Sequence, residues 1–458
     1  MNNGILVQDL LDKPSSDIGL PRNSLFNNTI IPLPYSYGGD EYWKYDPNKF
    51  VLLYDTRYSN NTNITLPLSS GPAYNIVVDW GDGVVSRYSG TTQNVSYTYS
   101  SHGIYLVQIS NSMTAWGSNI INTNANKLVK CLSFGSFPLT ALYYALDACS
   151  NLIEVPKNIR SGVSQFQFCF RGCLKFDQDL SLWDTSSATS FANMFQNSTS
   201  FNNRGSDQIN NWNTGNVTNT SFMFNGARAF NQPLNNWDTR KVINFNSMFQ
   251  GATSFNSSLS GWELGLDTAA TTCGNMFQGA TNFNQDIGNW DTSKVTNMGN
   301  MFISATNFNQ DIGGWNVSNV TSFAFMFWAF PVVLSFNFNL GSWDVSKATT
   351  LQEMFRGCIS VSNQDLRNWN LARINVSNGL DNFMLGATGA NSMTTANYDA
   401  LLIGWNNNKL ASANGIANWR TDLRPHFGGA KYTAGGAAAA ARAALVSYGW
   451  TITDGGVA

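Results

Sequence analysis

Eight tryptophans recur at near-constant spacing along the chain: Trp183, Trp212, Trp237, Trp262, Trp290, Trp315, Trp343 and Trp369, at intervals of 29, 25, 25, 28, 25, 28 and 26 residues. Seven residues before most of them stands a phenylalanine (Phe176, Phe230, Phe255, Phe283, Phe308, Phe336), and between the two lies an aliphatic residue at Leu180, Leu234, Leu259, Ile287, Ile312, Leu340 or Leu366. A Met-Phe pair marks each interval a second time, from Met194-Phe195 to Met354-Phe355. A unit of about 25 residues cannot bury three aromatics alone, so neighbouring units must cover one another. "NQDI" reads as a short strand adding to a parallel sheet. "VTNMGNMF" reads as a helical turn carrying Val295, Met298 and Phe302 inward. The expected fold class is mainly β with short helical turns, its centre a parallel solenoid of about eight turns.

The pattern changes on either side. Residues 74–110 alternate apolar and polar positions as half-buried strands do, with "GDG" supplying a tight turn. "LDACSNL" and "FCFRGCLKF" read as degenerate opening turns, which spare the stack an open edge. "NYDALLIGW" is helical in pattern; "GGAAAAARAALVSYGW" is an Ala-rich helix stopped at Gly449, and a strand-like "WTIT" follows, together predicting a small α/β cap. The expected organisation is an extended arm at 1–48, a sandwich at 49–115, opening turns at 116–173, the repeats at 174–390 and the cap at 391–458. The arm carries small apolar anchors at Ile5, Leu6, Leu10, Leu11, Leu20, Leu25 and Phe26, as expected of a segment that orders on a partner.

Composition narrows the partners. Only 12% of the 458 residues are charged, about half the usual share, and the formal net charge is -2. Asn, Ser, Thr and Gly dominate the polar positions, which suits sugars, other neutral surfaces or subunit packing. The 26 basic residues are scattered and form no stripe of the kind nucleic acid requires. "MNNGILVQDLLDKPSSDIGL" has no basic and apolar leader pattern, and no segment approaches the length of a membrane span. Of the six cysteines, Cys149, Cys173 and Cys358 fill the slot that holds Ala in "GATS" and "GATN". They read as buried thiols, with a Cys169/Cys173 bridge or metal pair as the alternative.

Three polar columns accompany the apolar ones. Asn follows the Phe at Asn231, Asn256, Asn284, Asn309, Asn337 and Asn363 and reads as a ladder of buried amides or as a ligand stripe. Asp or Asn near the tryptophan (Asp184, Asn213, Asp238, Asp291, Asn316, Asp344, Asn370) reads as an Asx turn, with calcium as the sharper alternative. Gln178-Asp179, Gln285-Asp286, Gln310-Asp311 and Gln364-Asp365 form a candidate polar ridge, read either as a sugar-docking edge or as simple solvation. The clearest departure is "FAFMFWAFPVVLSFNF", where Trp328, Phe330, Val332 and Val333 form a candidate interface if they bulge outward and extra core if they do not.

"WGDG" at Trp80 to Gly83, with Tyr97, Tyr99, Gly103 and Tyr105 after it, resembles the polycystic-kidney-disease (PKD) type, Ig-like β-sandwich over about residues 50–112. With that sandwich before them and "GWTITDGG" after, the "MFQGATNFNQDIGNWDTSKVTNM" units resemble the BspA-like surface proteins, whose turns are related to leucine-rich repeats (LRR). The resemblance covers about residues 50–458. It implies an LRR-like scaffold, mostly of bacterial surface adhesins and binding proteins without catalytic residues, with related repeats carried by viruses and phages; it lends no site residues.

No catalytic, metal or cofactor residue is assigned. His102 and His426 have no partner spacing for a metal or nucleophile, and no GxSxG, phosphate-loop or HExxH motif occurs. The expected function is therefore non-catalytic: a virion (phage) decoration, fibre or adhesion protein that attaches by its arm and presents the repeats to host surfaces. A bacterial cell-surface adhesin is the first alternative, and a glycan-acting enzyme with two carboxylates the second. The partners expected are proteins of an assembly, a host-surface glycan or protein, and further copies of the chain.

Overall fold

The computed structural model describes residues 25–26, 29–30, 45–68, 73–90, 94–118, 122–329, 334, 336–358, 361–412 and 419–458. The chain divides into two compact units, residues 1–216 with 227–232 and residues 217–226 with 233–458, a division that falls inside the segment 174–390.

In the first unit, β1 (Leu25–Phe26) pairs antiparallel with β2 (Thr29–Ile30). A five-stranded antiparallel sheet follows, built from β3 (Phe50–Asp55), β5 (Tyr74–Asp79), β6 (Val85–Gly90), β8 (Ile104–Ser112) and β9 (Leu128–Phe134) in the order β6-β5-β8-β3-β9. β4 (Asn63–Leu66) and β7 (Val95–Thr98) form a separate antiparallel pair. β3, the sheet's penultimate strand, is buried along its whole length, as expected of "FVLLYD" with neighbours on both edges. The predicted turn is present: Gly81 and Gly83 take φ of 82° and 93°, and a Cβ on Gly81 would lie 2.7 Å from the Leu106 carbonyl. Asp79 and Asp82 accept from the N–H groups of Gly81 and Val84, so they serve the turn. Trp80 is buried and stacks on Tyr97 at 4.5 Å, while the Tyr99 hydroxyl donates to the Trp80 carbonyl at 2.8 Å.

The expected parallel solenoid of about eight turns is overturned. The named sheets among the described residues are small and antiparallel, apart from one parallel pair, β10 (Thr271–Thr272) with β11 (Val295–Asn297), which itself shifts register. The cause is visible in the Met-Phe segments, where alternate N–H groups have different destinations. Ser247, Phe249 and Gly251 donate to Gly274, Met276 and Gln278, one repeat on. Between them, Met248, Gln250 and Ala252 donate three residues back, to Phe245, Ser247 and Phe249. The same alternation recurs at Asn275 to Ala280. Half the donors close turns, so no continuous ladder forms. This geometry requires left-handed backbone, found at Asn275 (φ 59°) and Asn300 (φ 61°) and again at Gly251 and Gly279. The two local assignments are corrected with it: "NQDI" (284–287) holds no strand, and the strand residues Val295–Asn297 lie where a helical turn was expected.

The aromatic positions stack in columns within each unit. Phe176, Phe201 and Phe230 stack in the first, at centroid separations of 5.9 and 6.0 Å. In the second, Phe249, Phe277, Phe302 and Phe327 stack at 5.6 to 5.8 Å, and Trp262, Trp290, Trp315 and Trp343 at 6.1 to 6.4 Å. Each of these indole N–H groups donates to an aliphatic carbonyl one repeat earlier: Trp262 to Leu234, Trp290 to Leu259, Trp315 to Ile287 and Trp343 to Ile312. Trp369 bonds to Leu340 in the same way, and Trp405 of α1 (Thr395–Ser412) continues the series to Leu366. The helix thus ends the stack by supplying one more buried indole. α2 (Ala437–Ser447) ends at Tyr448 and Gly449, the latter at φ 117°, where the Ala-rich helix was expected to stop. The "WTIT" segment makes one isolated bridge, Thr453 to His426, and no strand.

Candidate functional site

The outward polar columns are built by the repeat. All seven Asx residues near the tryptophans accept from the N–H two residues on: Asp184 from Ser186, Asn213 from Gly215, Asp238 from Arg240, Asp291 from Ser293, Asn316 from Ser318, Asp344 from Ser346 and Asn370 from Ala372. This is the Asx turn, with the side-chain oxygens spent on local backbone. The asparagine ladder also forms: Asn256, Asn284 and Asn337 accept from the backbone of Asn284, Asn309 and Asn363 in the following repeat. Its members are not the buried amides expected, since Asn309 and Asn363 are exposed.

The candidate ridge divides by residue type. The glutamines reach to the preceding repeat. Gln178 grips Val155 by both N–H and C=O at 2.7 and 2.8 Å, Gln285 donates to Asn256, and Gln310 donates to the Asn284 carbonyl. Gln364 is fully buried and joins Leu340 N–H to the Phe338 carbonyl. The aspartates face outward: Asp286 and Asp311 are exposed and cap Gly288 and Gly313, Asp365 pairs with Arg367 at 2.7 Å, and Asp179 holds Ser181. Partial burial raises the Asp179 pKa, but the bonds from Ser181, Ser206 and Asn203 together outweigh it and hold the carboxyl below its ordinary value.

Trp328 is half-buried, and its indole Nε1 has no hydrogen-bond partner among the described residues. Phe330, Val332 and Val333 lie outside the described residues, as do Ile5, Leu6, Leu10, Leu11 and Leu20 of the arm. Leu25 and Phe26 form the backbone of β1. All six cysteines are buried and unbridged; the Cys173 thiol donates to Leu146 and that of Cys358 to Phe327, and burial pushes both thiols well above their ordinary pKa.

Two charged clusters escaped the sequence reading. Lys130, in the middle of β9, is completely buried and pairs with Glu154 at 2.8 Å. Burial lowers the Lys130 pKa, against the raising effect of Glu154. Arg171 binds Asp147 through two bonds of 2.7 Å and lies over the rings of Tyr144 and Phe168, which stack on each other at 4.2 Å. Each pair spans 24 residues, one repeat, so complementary charges at the repeat period were the available signal.

Residues 164–273 and 267–369, just under half of the chain, match the family described as "Mycoplasma protein of unknown function, DUF285". That family is one of BspA-like repeats, and the match is compatible with a repeat surface protein. The matched span leaves out residues 50–112, so the likeness to a PKD-type sandwich gains nothing from it. No curated protein and no solved structure matches the chain.

Proposed function

We propose that this chain is a non-catalytic, surface-exposed structural and recognition protein, whose repeats present a polar, weakly charged face to a host or neighbouring surface. The observation carrying this reading is the periodic exposed column of amides and carboxylates, each residue held by a bond to its own turn or to the next repeat. Such residues cost little further entropy when a partner engages them. Among the described residues, of the ten large apolar side chains that are exposed only Val84 and Val85 are neighbours in sequence, so the repeats carry no run of exposed apolar residues. In the first version of the proposal the protein is a virion component, attached through residues 1–48. In the second it is a bacterial cell-surface adhesin, a version favoured by the match to a family described from Mycoplasma.

The test is binding of the purified chain to intact candidate cells, to a glycan array and to purified particles, with Trp328→Ala and a variant lacking residues 1–44 alongside. Cell or glycan binding lost in Trp328→Ala makes the repeats an adhesive surface around that residue. Particle attachment lost with the N-terminal segment supports the virion version. Failure to bind cells, glycans and particles alike overturns the proposal.

A further inference from the structure

The first unit holds a cleft of about 470 Å³ that neither the repeat columns nor the reading above uses. This lies in the range of small-molecule sites. Three chain segments form it: Tyr45 and Pro47, the end of β9 with Leu132 to Gly135, and Glu154 to Arg160. The Tyr45 hydroxyl donates to the Leu132 carbonyl at 3.0 Å and the Ser133 hydroxyl to the Pro47 carbonyl at 2.9 Å, so the first two segments are tied together. On the third side, the Gln178 amide clamps Val155 by both backbone groups, and Trp183 donates to the Pro156 carbonyl at 2.9 Å. The walls are thus set before any ligand arrives.

The charge of the lining is unusual for this chain. Glu154 is its only carboxylate, and that charge is met by the buried Lys130 at 2.8 Å. Lys157 and Arg160 are exposed and take part in no ion pair among the described residues; Arg160 donates one bond, to the Ser136 carbonyl at 3.0 Å. A protein with net charge -2 therefore places two uncompensated cations beside a neutralised carboxylate. Pro47, Leu132 and Pro156 add part-exposed apolar surface, and Asn158 an exposed amide.

We propose that this cleft binds an acidic saccharide, with its carboxylate drawn to Lys157 and Arg160 and its ring against the proline and leucine walls. A bare anion would make no use of the apolar walls or the volume, and a neutral sugar would make no use of the two cations. The inference rests on the surface-recognition reading only in supplying that reading with a ligand class.

The test is NMR or calorimetric titration of the full chain with sodium glucuronate, glucose and inorganic phosphate in separate arms, on wild type, Lys157→Gln and Arg160→Gln. Both substituted residues are exposed, and circular dichroism checks that the fold is kept. The expected result is glucuronate binding at least tenfold tighter than glucose or phosphate, weakened at least fivefold in each variant. The proposal is overturned if glucose binds equally well, if phosphate binds as tightly as glucuronate, or if no arm binds. It is equally overturned if the variants bind like wild type. Cell binding that persists in both variants while glucuronate binding is absent would sink the saccharide site and leave surface recognition standing.

Discussion

Replacing Trp290 by alanine tests the packing logic of the second unit. The ring is 3% exposed, stacks on Trp262 at 6.1 Å and Trp315 at 6.2 Å, touches Phe277 at 6.2 Å, and donates to the Leu259 carbonyl at 3.1 Å. Truncation leaves a cavity between two neighbours that cannot both collapse into it, at about 3–5 kcal/mol. It also removes one of the two bonds to the Leu259 carbonyl, which keeps the Trp262 N–H, at about 1 kcal/mol. A total of about 5 kcal/mol corresponds to a melting-temperature fall of roughly 10–20 °C for a unit of this size. Trp290→Phe keeps most of the ring and loses only the donor and some volume, so about 2 kcal/mol and a fall of roughly 4–8 °C are expected. The double variant Trp262→Ala, Trp290→Ala should cost about 1 kcal/mol less than the sum of the singles, because the two cavities merge. Thermal and urea unfolding followed by far-ultraviolet circular dichroism measures all three. If Trp290→Ala and Trp290→Phe fall by the same few degrees, stacking across repeats is not what stabilises this unit.

The buried Lys130–Glu154 pair gives a second expectation: Lys130→Met alone should cost about 3 kcal/mol by stranding a carboxylate, and adding Glu154→Leu should restore most of it. Urea midpoints decide, and equal costs for the single and double variants would remove the pairing argument. All six thiols should resist alkylation in the native protein and react on denaturation, since burial raises their pKa and closes access; fast native labelling of any of them would contradict the packing described. His426 accepts from Gly428 N–H through Nδ1 at 3.0 Å, and burial lowers its pKa below 6.5 despite Asp454 nearby. The folded state then binds fewer protons than the unfolded one, so the His426 contribution is complete above pH 6.5 and is lost as pH falls through the lower folded value. Asparagine can supply the same acceptor without titrating, so His426→Asn should flatten the stability change between pH 7.5 and 5.5; an unchanged slope would refute the linkage.

Much of the core was legible in the sequence because it is periodic. The Trp, Phe and Leu or Ile columns are buried where their spacing placed them, and the Asx turns form because their geometry is local to three residues. The backbone between those columns was not legible from apolar period alone. Val295, Met298 and Phe302 are buried, as a helical turn would require, but the same spacing also fits a chain that alternates turn closure with bonds to the next repeat. The discriminating signal lay in polar residues: Asn or Gly recurs where φ is positive, as at Asn275, Gly279 and Asn300. The candidate ridge was read as one surface because Gln and Asp are adjacent, yet adjacent residues face different ways, Gln310 back onto the Asn284 carbonyl and Asp311 out to solvent. Lys130 was passed over because its partner lies a full repeat away.

The same left-handed position allows a last test of strain. Phe168, Phe222, Phe325 and Glu353 hold φ between 53° and 60°, where an L-residue other than Gly, Asn or Asp pays about 1–2 kcal/mol. For two of them the side chain offsets the cost. Phe168 stacks on Tyr144 beneath Arg171, and Glu353 pairs with Arg356 at 2.7 Å and accepts from Asn382 at 3.2 Å. Phe222 and Phe325 are half-buried and have no ring partner among the described residues. Substituting Asn, the residue that Asn275 and Asn300 already hold at this position, should therefore raise stability at Phe325 by about 1 kcal/mol and lower it at Phe168, where stacking and the cation contact are lost. Urea denaturation of Phe325→Asn and Phe168→Asn measures both signs. Destabilisation at Phe325 as large as at Phe168 would mean that the Phe325 ring contributes packing that outweighs its backbone strain.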